Sequence, residues 1–329
     1  MKELNGKKVL VTGASGLIGK AIIAYLLTEC KGVKIVALAR NPEKARAALK
    51  NLPQENIEYL ICDVCDLKSE NIGVDYVIHA ASNTASRAFV ESPVEVITQT
   101  FEGTKRALEF AKANGVKGFV YLSTMETYGN PTTDDKIDEK SPAYLDSTVA
   151  RSCYPESKRL CECLCSSYYS EYGVPAKIIR LTQTFGEGVS YNDKRVFAEF
   201  SRCAIEGRDI ILKTKGETKR NYLYVGDAVA AVLTVLLKGE NGDAYNAADE
   251  DTYCSIYDMA NMVAREFGNG KVKVVIDESA NVEKLGYAPV LKMNLKCDKL
   301  KNLGWQPEVG LVEMFKRTIE YMRKAGRNE

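Results

Sequence analysis

The stretch "RSCYPESKR" sets Tyr154 and Lys158 four residues apart, with Pro155 directly after the tyrosine. A phenol can donate or accept a proton, and an ammonium nearby favours its charged form, so the two could work as an acid/base pair. Free tyrosine titrates at about 10, and bringing it to neutrality takes roughly three units, or about 4 kcal/mol. A helix N-terminus contributes only about 0.3–1 kcal/mol, or ~2 kcal/mol when partly buried. Further positive charge must therefore stand close to the ring. Pro155 disfavours helical geometry at the residue before it and suits the first position of a helix. The expectation is a helix starting at Pro155, with Tyr154 at its mouth and Lys158 one turn inside. The spacing alone does not separate this from an ordinary helix start.

A second group of residues suits an anion. "VLVTGASGLIGKA" places Gly13, Gly16 and Gly19 at three-residue intervals, after an apolar run and at the head of a helical one. Glycines there let the backbone turn and approach a pyrophosphate, which the helix N-terminus then meets with free N–H groups. The next apolar run ends "VALAR", where an acid would hold a ribose 2′-hydroxyl. Arg40 in that neighbourhood suits a 2′-phosphate and favours NADP over NAD, although a solvated or adenine-stacking arginine is the alternative. Asp63 is placed to take an adenine amino group, or simply to form a turn. His79, the only histidine, is expected to line the cofactor pocket and not to transfer protons.

These residues need a frame. The first half alternates short apolar runs ("KKVLVTG", "KIVALAR", "IEYLICDV", "DYVIHAAS", "GFVYLST") with helical segments, the longest being "PVEVITQTFEGTKRALEFAKANG". Such alternation argues for a parallel sheet covered on both faces, hence an α/β, Rossmann-like doubly wound domain. After Gly173 the pattern changes. "AKIIRLTQTFG" is a strand leading into a loop, and "DIILKTKGETKRNYLY" reads as hairpin-like strands before a helix. The expected division is a dinucleotide-binding unit over 1–182 and 222–250, with a smaller, interleaved α/β substrate unit over 183–221 and 251–329.

Composition narrows the partners. Hydrophobic residues make up 45% and charged residues 27% of the 329, with a formal net charge of +1, which offers no broad basic field for nucleic acid or anionic lipid. No apolar run is long enough to span a membrane, and the chain opens on a strand pattern without a secretory core, so a cytoplasmic location is expected. The ten cysteines are scattered and are read as free structural thiols, with no metal site, since only one histidine is present.

Taken in order, "TGASGLIG", "CDVCD", "HAAS", "YLSTMETYG", "YPESK", "KRNYLYVGD" and "LGWQP" resemble an extended short-chain dehydrogenase/reductase of the NAD-dependent epimerase/dehydratase type, across essentially the whole chain. The resemblance implies a homodimer paired through two helices of the sheet domain, a nicotinamide cofactor (NAD or NADP) kept through each turnover, and a nucleotide-sugar substrate. It adds Ser15, Leu17, Ile18, Val64, Ala80 and Ala81 to the cofactor contacts, beside Tyr154 and Lys158. It makes Thr124, Glu126, Tyr154 and Lys158 catalytic, and gives Thr124, Glu126, Gln183, Arg195 and Arg220 to the substrate, with Arg220 on its diphosphate.

Within that family "RSCYPESKR" is most similar to UDP-glucuronate decarboxylases, and "STMETYG" to 4,6-dehydratases. The dehydratase pattern has Thr, Asp, Glu where this chain has Thr124, Met125 and Glu126. A thioether cannot protonate a leaving hydroxyl, which puts simple dehydration in doubt. Thr100 and Gln183 also stand where the family often has asparagine. Decarboxylation is the first expectation, with 4-epimerisation or 4,6-dehydration, an NADP-dependent reductase, and a non-catalytic nucleotide sensor as alternatives.

Overall fold

The computed structural model describes residues 1–279 and 290–326; positions 280–289 and 327–329 of the expected substrate unit lie outside the described residues. In chain order the elements are β1 (Lys8–Thr12), α1 (Leu17–Glu29), β2 (Lys34–Ala39), α2 (Pro42–Leu49), β3 (Ile57–Ile61), β4 (Tyr76–His79), α3 (Ala88–Glu91), α4 (Pro93–Asn114), β5 (Gly118–Thr124), α5 (Cys153–Tyr172) and β6 (Ala176–Leu181). They continue with β7 (Gln183–Phe185), α6 (Val196–Glu206), β8 (Ile210–Leu212), β9 (Lys219–Tyr224), α7 (Val225–Lys238), β10 (Ala244–Ala247), β11 (Asp249–Ser255), α8 (Ile256–Phe267), β12 (Val274–Ile276), β13 (Lys292–Met293), α9 (Asp298–Lys301) and α10 (Leu311–Ala325).

Seven strands form one parallel sheet in the order β10-β6-β5-β4-β1-β2-β3. The chain runs outward from β1 through β2 and β3, then returns to β4 on the other side of β1. That reversal opens a crevice at the carboxyl ends of β1 and β4, where doubly wound folds bind ligands. Strand side chains alternate between the faces. Val9 and Val11 therefore pack with Ile22 and Ile23 of α1 and Val232 of α7. Leu10 faces the other way, with Leu108 of α4 and Cys161 of α5.

The second sheet is built on β9, which pairs in parallel with β7 and β13 and antiparallel with β11. Its core stacks Phe185 on Phe197, with Phe315 edge-on. The expected join at 221/222 falls inside β9, all six residues of which run through this sheet. Two single residues carry the chain from the first sheet into the second. Thr182 links β6 to β7, and Ala248 links β10 to β11. The crossings lie side by side, because Thr182 N–H donates to the Ala247 carbonyl at 3.2 Å and its hydroxyl donates to the Asn221 carbonyl at 2.6 Å.

Two local expectations are corrected. The hairpin between β8 and β9 does not form, because β8 pairs in parallel with β12, more than sixty residues later. Ile210 and Leu212 of β8 are buried in the second lobe's core, so burial and not chain proximity decides the partner. Helix α5 begins at Cys153, not Pro155, and Tyr154 is its second residue. A turn over Ala150–Ser152 leads straight into it, and Ser152 is already helical (φ −71, ψ −7). Pro155 is tolerated because N–H groups of the first turn have no intrahelical acceptor. Burial of Cys153 and Tyr154 against Phe89 overrides the bias against helix before proline.

Candidate active site

At the end of β1 the chain turns through Gly13, whose φ of +68 is open to glycine at little cost. A Cβ on Gly13 would stand 2.9 Å from the backbone of Ala80 and Ala81, and one on Gly19 would stand 2.3 Å from the Gly13 carbonyl. Gly16 caps α1 without any side-chain hydrogen bond, which leaves the helix's first N–H groups to an outside anion. Ser15, Leu17 and Ile18 are partly exposed around it. These residues fit the pyrophosphate of a dinucleotide.

The rim of the crevice carries Arg40, Asp63 and Val64, with His79 behind it. Arg40 lies 3.7 Å from the Asp63 carboxylate, and Asp63 also accepts the Cys65 N–H at 2.9 Å. Asp63 is thus a turn former with one oxygen turned to Arg40. Val64, beside it, packs under Gly103 of α4. His79 is buried rather than pocket-lining, at 1% exposure. Ala81 N–H donates to Thr12 Oγ1, which lies 2.7 Å from His79 Nδ1, while His79 Nε2 lies 3.2 Å from Thr104 Oγ1. Thr104 donates onward to the Thr100 carbonyl, so the network assigns the proton to Nε2. Burial, then the Lys158 charge, pull His79 down to about 3, so it remains a neutral brace between β1, β4 and α4.

The catalytic candidates converge at the end of β5 and the start of α5. Thr124 accepts the Glu126 N–H at 3.3 Å and hydrogen-bonds the Tyr154 phenol. Lys158 is buried, donates to the Leu122 carbonyl at 2.8 Å, and places its ammonium 4.6 Å from the Tyr121 ring and 5.9 Å from the Tyr154 ring. Burial lowers the Lys158 ammonium to about 8, partly opposed by Cys161 and Glu162. The Tyr154 phenol moves the opposite way from what base catalysis needs. Burial first, then the Glu126 charge, raise it well above its ordinary value, against the pull of Thr124 and Arg151. The protein alone therefore stores the proton on Tyr154, and a bound cation has to release it.

Three contacts escaped the sequence. Arg151 donates through Nη2 to Glu126 Oε2 at 3.0 Å. Phe89, from the one-turn helix α3, stacks on Tyr154 with centroids 4.4 Å apart at 12°, and the Arg151 guanidinium lies 4.7 Å from the Phe89 ring. The only signal was Arg151 itself in "RSCYPESKR"; nothing marks an aromatic 65 residues upstream of Tyr154. Met125 is buried at 3% exposure, with the Thr182 hydroxyl 3.2 Å from its sulfur.

The substrate-side candidates come together less completely. Gln183 on β7 pairs with Tyr222 on β9, the strand that also carries Arg220. Arg220 Nε is buried without a hydrogen-bond partner among the described residues, as expected of a group waiting for an anion. Arg195 is instead committed to Asp193, with Nε 3.0 Å from both carboxylate oxygens, and it lies against Phe197. Among the described residues no cluster of three or more His, Cys, Asp or Glu could hold a metal, and no helix is long and apolar enough to cross a membrane. All ten cysteines are free thiols.

A doubly wound sheet with a glycine cradle at its switch point, and a Thr–Tyr–Lys group beside it, defines a dinucleotide-dependent enzyme of the short-chain dehydrogenase type. Residues 9–248 match the NAD dependent epimerase/dehydratase family, and the chain belongs to that family. It is 31% identical to the dTDP-D-glucose 4,6-dehydratase of Mus musculus, across 97% of this chain and 89% of that one. It is 28% identical to UDP-glucuronic acid decarboxylase 1 of Xenopus tropicalis, across 98% of this chain and 74% of that one. Among solved structures, the UDP-glucose 4-epimerase of Thermotoga maritima with UDP-glucose superposes with a TM-score of 0.83 at 25% identity, covering 97% of this chain and 99% of that one.

Proposed function

We propose that this enzyme modifies a nucleotide-activated sugar through transient oxidation at C4, and that its reaction is decarboxylation of a UDP-glucuronate-type substrate. The observation that carries the choice is the fate of the two acids a dehydration would use. Met125 stands in place of one and is buried against Thr182. Glu126, the carboxylate whose charge acts on Tyr154, is held by Arg151. A site with no spare acid beside its threonine is poorly made for expelling a hydroxyl, and well made for a step that needs no leaving-group proton.

In this reading the Gly13–Gly19 loop and Lys158 hold the dinucleotide. A bound nicotinamide would supply the hydride acceptor and donor for C4 and, in its oxidised form, a positive charge that favours the Tyr154 phenolate. Tyr154 accepts the C4 hydroxyl proton, and Thr124 holds the same oxygen. The resulting C4 ketone is β to the C6 carboxylate. The C5–C6 bond breaks, its electron pair moves into the C4 carbonyl as an enolate, and carbon dioxide leaves. C5 then takes a proton, and Tyr154 returns its own to the C4 oxygen. Arg220 holds the diphosphate, a role that its unpartnered Nε fits.

The choice between NAD and NADP rests on Arg40, which lies 3.7 Å from the Asp63 carboxylate and is the candidate for a 2′-phosphate. Removing Arg40 is expected to weaken NADP binding selectively. The exposed Val94 and Ile97 of α4 and Leu160 of α5 fit the two-helix pairing of a homodimer.

The test is incubation with UDP-, dTDP- and CDP-sugars, including UDP-glucuronate, with products analysed by mass. Loss of carbon dioxide supports the proposal. Loss of water, or unchanged mass with inverted C4, replaces it with dehydration or epimerisation. Net consumption of a reduced cofactor with a carbonyl substrate overturns it.

A further inference from the structure

Arg151 is placed as a reader of charge, not only as a partner of Glu126. It sits in the turn over Ala150–Ser152 that feeds α5, with its side chain 24% exposed. Its guanidinium carbon sits over the Phe89 ring, 4.7 Å from the centroid, and that ring in turn lies flat on Tyr154. Aromatic stacking fixes the plane of a guanidinium and leaves its edges to hydrogen-bond in that plane. Among the described residues its one hydrogen bond runs from Nη2 to Glu126, and Nε is buried without a partner. The part-exposed fork therefore has terminal donors to spare, beside a carboxylate whose charge acts on Tyr154.

We infer that Arg151 is a specificity-determining residue that binds the C6 carboxylate of a uronate sugar, keeping Glu126 on one edge and taking the substrate on the other. The inference rests on the proposed nucleotide-sugar reading and assigns its substrate class, a charged C6 in preference to a neutral hydroxymethyl. A uronate meeting Glu126 without Arg151 would face a like charge at close range in a half-buried site, which is repulsive. With Arg151 between them, both carboxylates share one fixed cation, and a neutral C6 gains much less from it. Phe89 is the platform that keeps the fork in plane, and through the same ring it ties charge recognition to the position of Tyr154.

The test measures equilibrium binding of UDP-glucuronate, UDP-glucose and UDP by calorimetry, with cofactor bound, in a Tyr154→Phe background that keeps the Phe89 stack and blocks turnover. The background is expected to favour UDP-glucuronate over UDP-glucose by at least about tenfold, and Arg151→Met to erase that preference while UDP and UDP-glucose change by no more than about twofold. Arg151→Lys, which keeps the charge without the fork, should retain part of the preference. Adding Glu126→Gln to Arg151→Met separates lost attraction from exposed repulsion, and should not restore the preference. No preference in the background, a preference that survives Arg151→Met, or equal weakening of all three ligands overturns the inference. A thermal melt and retained cofactor show that each variant is folded; if Arg151→Met is not, the fall in preference with Arg151→Lys decides. An Arg151-dependent preference in a protein that releases no carbon dioxide upholds the recognition and removes the decarboxylation. Release of carbon dioxide without that dependence does the reverse.

Discussion

Lys158 is more costly to the empty fold than its role suggests, and replacing it should make the protein more stable. Its ammonium is fully inside the protein, and burial lowers it from 10.5 to about 8. Between those values the unfolded chain binds a proton that the folded chain does not, so stability rises with pH across that window. Below pH 8 the whole penalty is present, about 2.5 units at ~1.4 kcal/mol each, or about 3 kcal/mol. Lys158→Met keeps a similar volume and removes the charge, but forfeits the bond to the Leu122 carbonyl, worth about 1 kcal/mol. The variant should therefore be about 2 kcal/mol more stable than wild type at pH 7, and inactive. The assay is urea unfolding of both proteins, stripped of cofactor, from pH 7 to 10. The gap should close by roughly 1.4 kcal/mol per unit above pH 8, since tyrosine titration is common to both proteins and cancels. A variant no more stable at pH 7, or a gap that ignores pH, would refute the reasoning.

Tyr154→Phe should retain cofactor and the stack on Phe89 while kcat falls by about 10²–10⁴-fold, because only the proton-transferring hydroxyl is lost; a variant near wild-type kcat removes Tyr154 from the mechanism. Glu162→Ala should destabilise by about 1–3 kcal/mol in urea, because it removes the carboxylate from a half-buried arginine that is left with the Tyr128 hydroxyl and the Glu139 carbonyl. Arg180 meets Glu162 through Nε at 3.0 Å and Nη2 at 2.6 Å, and Ser123 adds a bond at 2.5 Å. A loss below about 1 kcal/mol would mean that Arg180 finds another partner. Arg40→Ala should weaken NADP more than NAD in paired titrations; equal NADP binding by the two proteins ends the argument for a 2′-phosphate contact.

The parts of this site that could be read from the chain are those that one segment builds alone. The Gly13–Gly19 loop is such a segment, since strand, turn and helix follow one another and Gly16 and Gly19 pack on the loop's own Gly13 carbonyl. The pairing of Tyr154 with Lys158 is likewise local. What stayed hidden depends on segments meeting from afar. Phe89 has no periodic signal in a four-residue helix, yet it settles how Tyr154 and Arg151 are held. The depth at which Tyr154 lies could not be inferred from its neighbours, so the direction of its proton affinity came only with the fold. The start of α5 and the partner of β8 were misjudged for the same reason, because local preference yielded to burial.

The two single-residue crossings at Thr182 and Ala248 have a mechanical meaning. A lobe hung on one flexible link can swing as a door does; here β9 also runs straight into α7, so a lobe held at these three short junctions cannot rotate without shearing them. Limited proteolysis should therefore cut surface loops without releasing either lobe intact, and access to the crevice falls to side chains and loops at its rim. Met125 sits against Thr182 at this joint. Met125 thus braces the seam between the lobes, and an aspartate at that position would have to loosen the seam before it could reach the site.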